Sequence, residues 1–385
     1  MTEAVRADVL ILGAGPVGLT LARYLAGQGR LVTLAEQRTL AARADDPRAL
    51  ALSHGARQLL EPLGVWPAKA ATPIESVHVS QRGGFGRCLM RCTDYRLPAL
   101  GYVMRYGNLS QALADGITSL PGTTLHENCA AQTVETSPQG AIVHLRRNQE
   151  NLQVTADLVV HAEGAPDASD GISIREYRQH AIVAEVKTPA GHDHRAWERF
   201  TPDGPLALLP LDDGFSLVLT VPDQRVAYLL ALDDNAFLAE LQTYLGGRLH
   251  FTACSPRHAY PLALRLRREV TAFRQVWIGN AAQTLHPVTG QGFNLGLRDV
   301  HVLAEAIRRG GRDAGAARTL AGYAQRRQID RQGSALFTDG IVRLFSNDFA
   351  PLRLARGMGL QMLDLLPPAR DFVARRMIWG ARAWP

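Results

Sequence analysis

Residues 8–36 constrain the fold of this chain more than any other stretch. Asp8 to Leu12 is a short buried-type run, and Gly13-Ala14-Gly15-Pro16-Val17-Gly18 follows at once. Leu19, Leu21, Ala22 and Leu25 then recur at helical spacing until Gly29-Arg30, and a second apolar run, Leu31 to Leu34, leads to Glu36. Strand, glycine turn, helix, strand and acid in this order form a dinucleotide fingerprint in which each part has a physical task. Gly13 permits the tight turn, Gly15 lets backbone approach a pyrophosphate, and Gly18 allows the helix to pack closely on the strand. The helix N-terminus faces the negative charge, and Glu36 is placed to accept hydrogen bonds from ribose hydroxyls. A carboxylate there repels a 2′-phosphate, so FAD or NAD is expected as resident dinucleotide rather than NADP. A lone glycine motif would fit a structural turn equally well; the complete unit of five ordered parts does not.

A second glycine region lies near the other end of the chain. Val276, Trp277 and Ile278 read as a short strand that stops at Gly279-Asn280; a loop with His286-Pro287 and Gly290-Gln291-Gly292 follows. A helix is expected from about Asn294, carrying Leu295, Leu297, Val300 and Leu303 on one face. Proline and closely spaced glycines between strand and helix let backbone approach a flat or anionic group without side chains in the way. The two regions need one cofactor between them. No second full fingerprint exists, so a nicotinamide cofactor would visit only transiently.

The wording GNAAQTLHPVTGQGFNLGLRDV resembles the second flavin-contacting motif of the aromatic-ring FAD monooxygenases related to para-hydroxybenzoate hydroxylase. With RFTPDGPLALLPL, it is similar to the ubiquinone-biosynthesis branch of that family, and the resemblance spans nearly the whole chain. It implies an α/β fold: a Rossmann-type FAD-binding domain (1–73, 99–171, 266–345) interleaved with a β-sheet substrate domain (74–98, 172–265), and a helical C-terminal segment (346–385). It implies tightly bound FAD held by Gly13, Gly15, Gly18 and Glu36, with Arg48 near flavin and adenosine. Arg105, opening an Arg-x-x-x-Leu-x-x-x-Leu entry with Leu109 and Leu113, would approach the FAD. Gly279 and Asn280, where Asp is the family norm, would meet its ribityl or ribose part, with Gly290, Gly292 and Asn294 beyond. A surface arginine packing its stem and an ordinary first-turn arginine are the plain alternatives for Arg48 and Arg105.

In that family Pro287, Gly290, Gln291 and Gly292 would form the flavin-ring environment, their backbone amides stabilising negative charge on the reduced ring. No side-chain base is assigned; His286 is near the flavin by position or fixes the loop through a backbone hydrogen bond. The resemblance implies that NAD(P)H reduces FAD, that O2 gives a C4a-hydroperoxide, and that the ring carbon of a 2-polyprenyl-6-methoxyphenol attacks its distal oxygen, with water kept away. The family's Asp-Gly motif is Glu163-Gly164 here, and Asp167 and Asp170 replace a hydroxyl and a cation, which leaves NADH against NADPH open. Three other functions fit the same residues: a sister hydroxylase acting at another ring position, a geranylgeranyl-reductase-like flavin reductase, and a non-catalytic FAD scaffold. Oxygen dependence separates the reductase, and failure of NAD(P)H to bleach the flavin separates the scaffold.

Composition narrows the partners. The chain carries a formal charge of +6, but its arginines are scattered without an aromatic-interleaved basic stripe, so nucleic acid is not expected. Cys88, Cys92, Cys129 and Cys254 form no zinc-like double pair, and His192-Asp193-His194 lacks a third ligand, so no metal is expected. The polar start runs straight into a strand and no run of about 18 apolar residues exists, so the expected location is cytoplasmic. In residues 351–385, Leu352, Leu354, Met358, Leu360, Met362, Leu363, Leu365 and Leu366 interleave with Arg353, Arg356, Arg370, Arg375 and Arg376, and Trp379 and Trp384 come near the end. That pattern suits either docking on a membrane surface or partner complex, or a helical cap on the FAD domain. Leu208, Leu209, Pro210 and Leu217 suit either a substrate cavity or plain sheet core.

Overall fold

The computed structural model describes residues 4–43, 46, 48–166, 168, 171–345 and 349–380. Asp167, Asp170 and Trp384, singled out above, lie outside them. The strand Ala4–Leu12 sits inside an eight-stranded sheet, parallel to Glu150–His161 on one side and to Val32–Ala35 on the other. Val9, Leu10 and Ile11 are fully buried, which is why this strand reads as a continuous apolar run instead of an alternating one. Pro16 occupies the first turn of the helix Pro16–Ala26, where its missing N–H costs nothing, and Leu19, Leu21, Ala22 and Leu25 are buried along it.

Register positions the site. Leu12 pairs with His161, and His161 pairs with Trp277 of the parallel strand Gln275–Trp277. Three carboxyl ends therefore stop side by side, and the residues that follow them, Gly13, Ala162 and Ile278-Gly279, share one edge of the sheet. In open α/β sheets that edge is where ligands bind.

A nine-stranded sheet holds Ser76–Gln81, Arg87–Arg91, Ile172–Lys187, Arg195–Thr201, Gly204–Leu211, Gly214–Pro222 and His258–Arg267, with short strands at Ala253–Cys254 and Gln283–Thr284. One face packs on helices Asp223–Ala231 and Asp234–Leu245 through Leu206, Leu208, Leu217, Phe237 and Leu241. Sequence periodicity exposes only the second of these helices. In Asp223–Ala231 only Leu229 is buried, too little to leave a periodic stripe. The alternation also splits the apolar candidates: Leu208 and Leu217 belong to this packed face, whereas Leu209 borders a cavity on the other.

Between the two sheets, Gly101–Arg105 pairs antiparallel with Ala49–Ser53 and Thr72–Ile74. Residues 101–105 are a strand, with Val103 and Met104 fully buried in extended backbone, and the helix Tyr106–Ala114, which carries Leu109 and Leu113, begins directly after Arg105. The C-terminal helices Ala350–Leu365 and Pro367–Trp379 form a cap. Gly86 lies so close to Gly357 that a side chain at Gly86 would meet the Gly357 carbonyl oxygen at 2.2 Å. Ala374 and Ile378 pack with Cys92 and Leu100. No helix among the described residues is long and apolar enough to cross a membrane.

Candidate active site

The glycine turn is built by close contact. Gly13 has φ +96°, and a side chain there would land 2.6 Å from the Ala162 carbonyl oxygen; one at Gly18 would land 2.0 Å from that of Gly13. Gly15 differs, since its nearest neighbour is the end of the Arg43 side chain. Glu36 is 5% exposed, accepts from the Ala14 amide at 2.6 Å and the Arg38 amide at 3.1 Å, and pairs with Arg43. Arg43 also donates to the Tyr106 hydroxyl at 3.3 Å, while its buried Nε has no partner among the described residues. A helix N-terminus, a ribose-seeking carboxylate and a guanidinium with an unspent N–H over the Gly15 turn fit the ribose and pyrophosphate of a dinucleotide. Sequence reading missed Arg43, which sits in an aperiodic loop seven residues after Glu36 and carries no spacing signal.

The second glycine region meets the first. A side chain at Gly279, φ +59°, would lie 3.2 Å from Val17 of the fingerprint helix, and one at Gly296 would lie 3.0 Å from the same Val17. Asn280 is exposed on the turn after Gly279. Asn294 is 2% exposed and ties the loop to the strand Ala49–Ser53: its amide donates to Ala51 O at 2.9 Å and Gly290 O at 2.7 Å, and its oxygen accepts from the Ser53 amide at 2.8 Å. Gln291 donates to Met377 O at 3.0 Å, which fixes the loop to the C-terminal cap. Over Gly292, the first residue of the helix Gly292–Gly310, a side chain would meet nothing within 4 Å, the open space a flat ring would need.

The two other arginines singled out in the sequence are both engaged in ion pairs. Arg48 is paired with Asp46 and lies over the rings of Tyr106 and Tyr260, at 5.2 and 5.9 Å. Arg105 donates to both Glu185 oxygens, at 3.1 and 2.8 Å, and pairs with Asp212, joining the end of the strand Gly101–Arg105 to the nine-stranded sheet.

Beneath the loop lies a buried ion network. Asp299, fully buried, accepts from the Gly279 amide at 2.9 Å, from Gln283 at 2.6 Å and from Arg327 at 2.7 Å. Asp330 accepts from Arg298 at 2.7 Å and from Arg327 at 2.6 Å. Burial raises the Asp330 carboxyl, but the Arg298 and Arg327 guanidiniums outweigh it and hold the group at about 2.

His286 belongs to the loop's scaffold. Its Nδ1 accepts from the Val288 amide at 3.1 Å, its ring meets Tyr177 edge-on at 5.2 Å, and it does not border the adjoining cavity. Burial lowers its pKa from 6.5 to about 4. The folded protein therefore resists a proton that the unfolded chain accepts, so this residue's contribution is intact above 6.5 and is lost as pH falls through about 4. His286→Asn keeps an acceptor for Val288 and removes the titration. Urea midpoints measured across this range should show a shallower acid decline in the variant; identical slopes would contradict the assignment.

Next to the loop is a cavity of about 360 Å³ bordered by Pro287, Val288, Thr289 and Gly290. Its sheet wall includes Val79, Glu198, Phe200 and Leu209, and the C-terminal cap closes it with Leu360, Val373 and Met377. Phe200 and Phe345 stack at 3.7 Å between ring centres on its border. The wall is apolar apart from a few groups, of which Glu198 and Arg370 are the charged types.

Comparison with known proteins agrees with this geometry. The family described as FAD binding domain matches residues 6–333. The chain is 36% identical over 394 residues to ubiquinone hydroxylase UbiL of Rhodospirillum rubrum, covering 98% of this chain and 91% of that protein. It is 30% identical over 384 residues to 3-demethoxyubiquinol 3-hydroxylase of Escherichia coli, covering 93% and 94%. The crystal structure of p-nitrophenol 4-monooxygenase PnpA from Pseudomonas putida superposes with a TM-score of 0.79 at 16% identity, covering 98% and 99% of the two chains, a likeness of fold.

Proposed function

Because the chain belongs to the FAD binding domain family of flavin monooxygenases, we propose that it hydroxylates the aromatic ring of a polyprenylated phenol, of the 2-polyprenyl-6-methoxyphenol type, in ubiquinone biosynthesis. The observation that supports this best is the junction of the fingerprint turn and the Gly290–Gly292 loop beside an apolar cavity large enough for a substituted ring. FAD, when bound, supplies the reduction of O2 and the transfer of one oxygen atom to the ring.

The protein's own residues do the rest. The Gly13–Gly18 turn, Glu36 and Arg43 would hold the ribose and pyrophosphate. The amides at the start of the helix Gly292–Gly310 would stabilise negative charge on the reduced ring. Pro287, Val288, Phe200 and Phe345 would exclude water from the reacting atoms. The reductant is a nicotinamide nucleotide that visits without a fingerprint of its own. The test is anaerobic mixing of the flavin-loaded protein with NADH or NADPH, with and without 2-geranyl-6-methoxyphenol. Bleaching accelerated by the phenol supports the hydroxylase, and absence of bleaching with either donor contradicts it.

The outer side of the C-terminal cap would rest on the membrane that holds the prenyl tail. Leu354, Met358, Met362, Leu365 and Phe372 are all more than half exposed there although the inner side of the same helices packs on the protein. Met358→Glu with Leu365→Glu should lower flotation with anionic vesicles severalfold at unchanged flavin content. Equal flotation of variant and parent would rule the contact out.

A further inference from the structure

The nine-stranded sheet turns one face to the cavity, and one residue there does not suit an apolar wall. Glu198 lies in the strand Arg195–Thr201, in register with Ala207 on one side and Val79 on the other. Along its own strand, Ala196 and Phe200 share its face. Trp197 packs against the cluster on the opposite face while also bordering the cavity, and Arg199 on that opposite side donates to Tyr244 O at 2.6 Å. Glu198 borders the cavity, yet its Oε1 is buried without a hydrogen-bond partner among the described residues. Burial alone, with no cation offsetting it, pushes the carboxyl well above the usual carboxylate range. Arg370, the other charged type on the cavity wall, donates instead to Asp364 O at 3.4 Å. A fold gains nothing from a buried, unpartnered carboxyl oxygen on an otherwise apolar cavity wall. The group is intelligible as one that awaits a partner brought by a ligand.

We propose that Glu198 binds the ring hydroxyl of the phenolic substrate and thereby sets which ring carbon faces the loop at 287–292. The assignment rests on the hydroxylase reading above. A neutral carboxyl offers one O–H donor and one carbonyl acceptor, the complement of a phenol O–H. Pro287 to Gly290 border the same cavity, so a ring held at Glu198 is held beside them. Alternation along AWERF carries the signal in the sequence: a carboxyl between Ala196 and Phe200 on an otherwise apolar face.

The test titrates flavin-loaded protein with 2-geranyl-6-methoxyphenol and with its methyl ether, reading binding from the perturbed flavin absorbance. Wild type should prefer the phenol by roughly tenfold, the discrimination of one hydrogen bond, and Glu198→Leu should erase that preference. Glu198→Gln, which keeps a donor and an acceptor, should retain part of it. The melting temperature of Glu198→Leu should equal or exceed that of wild type, because the variant removes an unpartnered buried group. A Glu198→Leu protein that keeps its preference for the phenol overturns the assignment, and so does one that loses flavin or melts earlier. Wild-type protein unperturbed by either compound overturns the hydroxylase reading, and the assignment with it.

Discussion

Gly15→Asp protein is expected to fold and to purify without flavin. The new side chain would point at Arg43, whose guanidinium lies 2.8 Å from where its Cβ would be, so the carboxylate gains a cation and the fold loses nothing. The same carboxylate puts negative charge where the pyrophosphate must lie, at a helix N-terminus already partly neutralised by Glu36. Flavin absorbance should vanish while melting stays near that of wild-type apoprotein. Gly18→Ala should differ: its Cβ would meet the Gly13 carbonyl at 2.0 Å, a backbone clash that distorts the turn and destabilises the fold itself. Stoichiometric flavin on Gly15→Asp would refute the placement of the cofactor.

The second large effect is on stability. Arg327→Leu should cost about 3–5 kcal/mol, because it leaves Asp299 and Asp330 buried with part of their compensation gone. Arg327 is 3% exposed and, among the described residues, is the side chain that bonds both carboxylates. Its loss also frees the Asp299 carboxylate that holds the Gly279 amide, so flavin affinity should fall together with the melting temperature. The pH sign follows from Asp330. Its carboxyl, lowered from 3.8 to about 2, contributes stability that is complete above 3.8 and is lost as pH falls through 2. Without Arg327 that carboxyl titrates higher, and the acid transition should begin at higher pH. A variant that melts within a degree or two of wild type would show that Arg298 and Gln283 suffice.

The residues legible in the sequence are those whose spacing dictates geometry. Gly13, Gly15, Gly18 and Glu36 have fixed offsets within one βαβ unit, and Asn294 and Gly290 lie close together across a single turn. The ion network is illegible for the opposite reason. Arg298, Asp299, Arg327 and Asp330 read as ordinary charges on two helices, and only the packing of Gly292–Gly310 on Ala317–Phe345 turns them inward. Arg43 is lost in a loop without periodicity. The C-terminal segment is ambiguous because a cap with an apolar outer side yields the same interleaving as a surface-bound helix. Its inner side walls the cavity through Leu360, Val373 and Met377, so deleting it would open the site and could not isolate a docking role.

The central claim is that one atom of O2 enters the ring of a prenylated phenol. Its most direct test is to supply flavin-loaded protein with NAD(P)H, 2-geranyl-6-methoxyphenol and isotopically labelled O2, and to weigh the product. The account predicts a hydroxylated product carrying one labelled oxygen per ring, formed only in the presence of O2. A reduced or unlabelled product, or turnover that continues without oxygen, would contradict it.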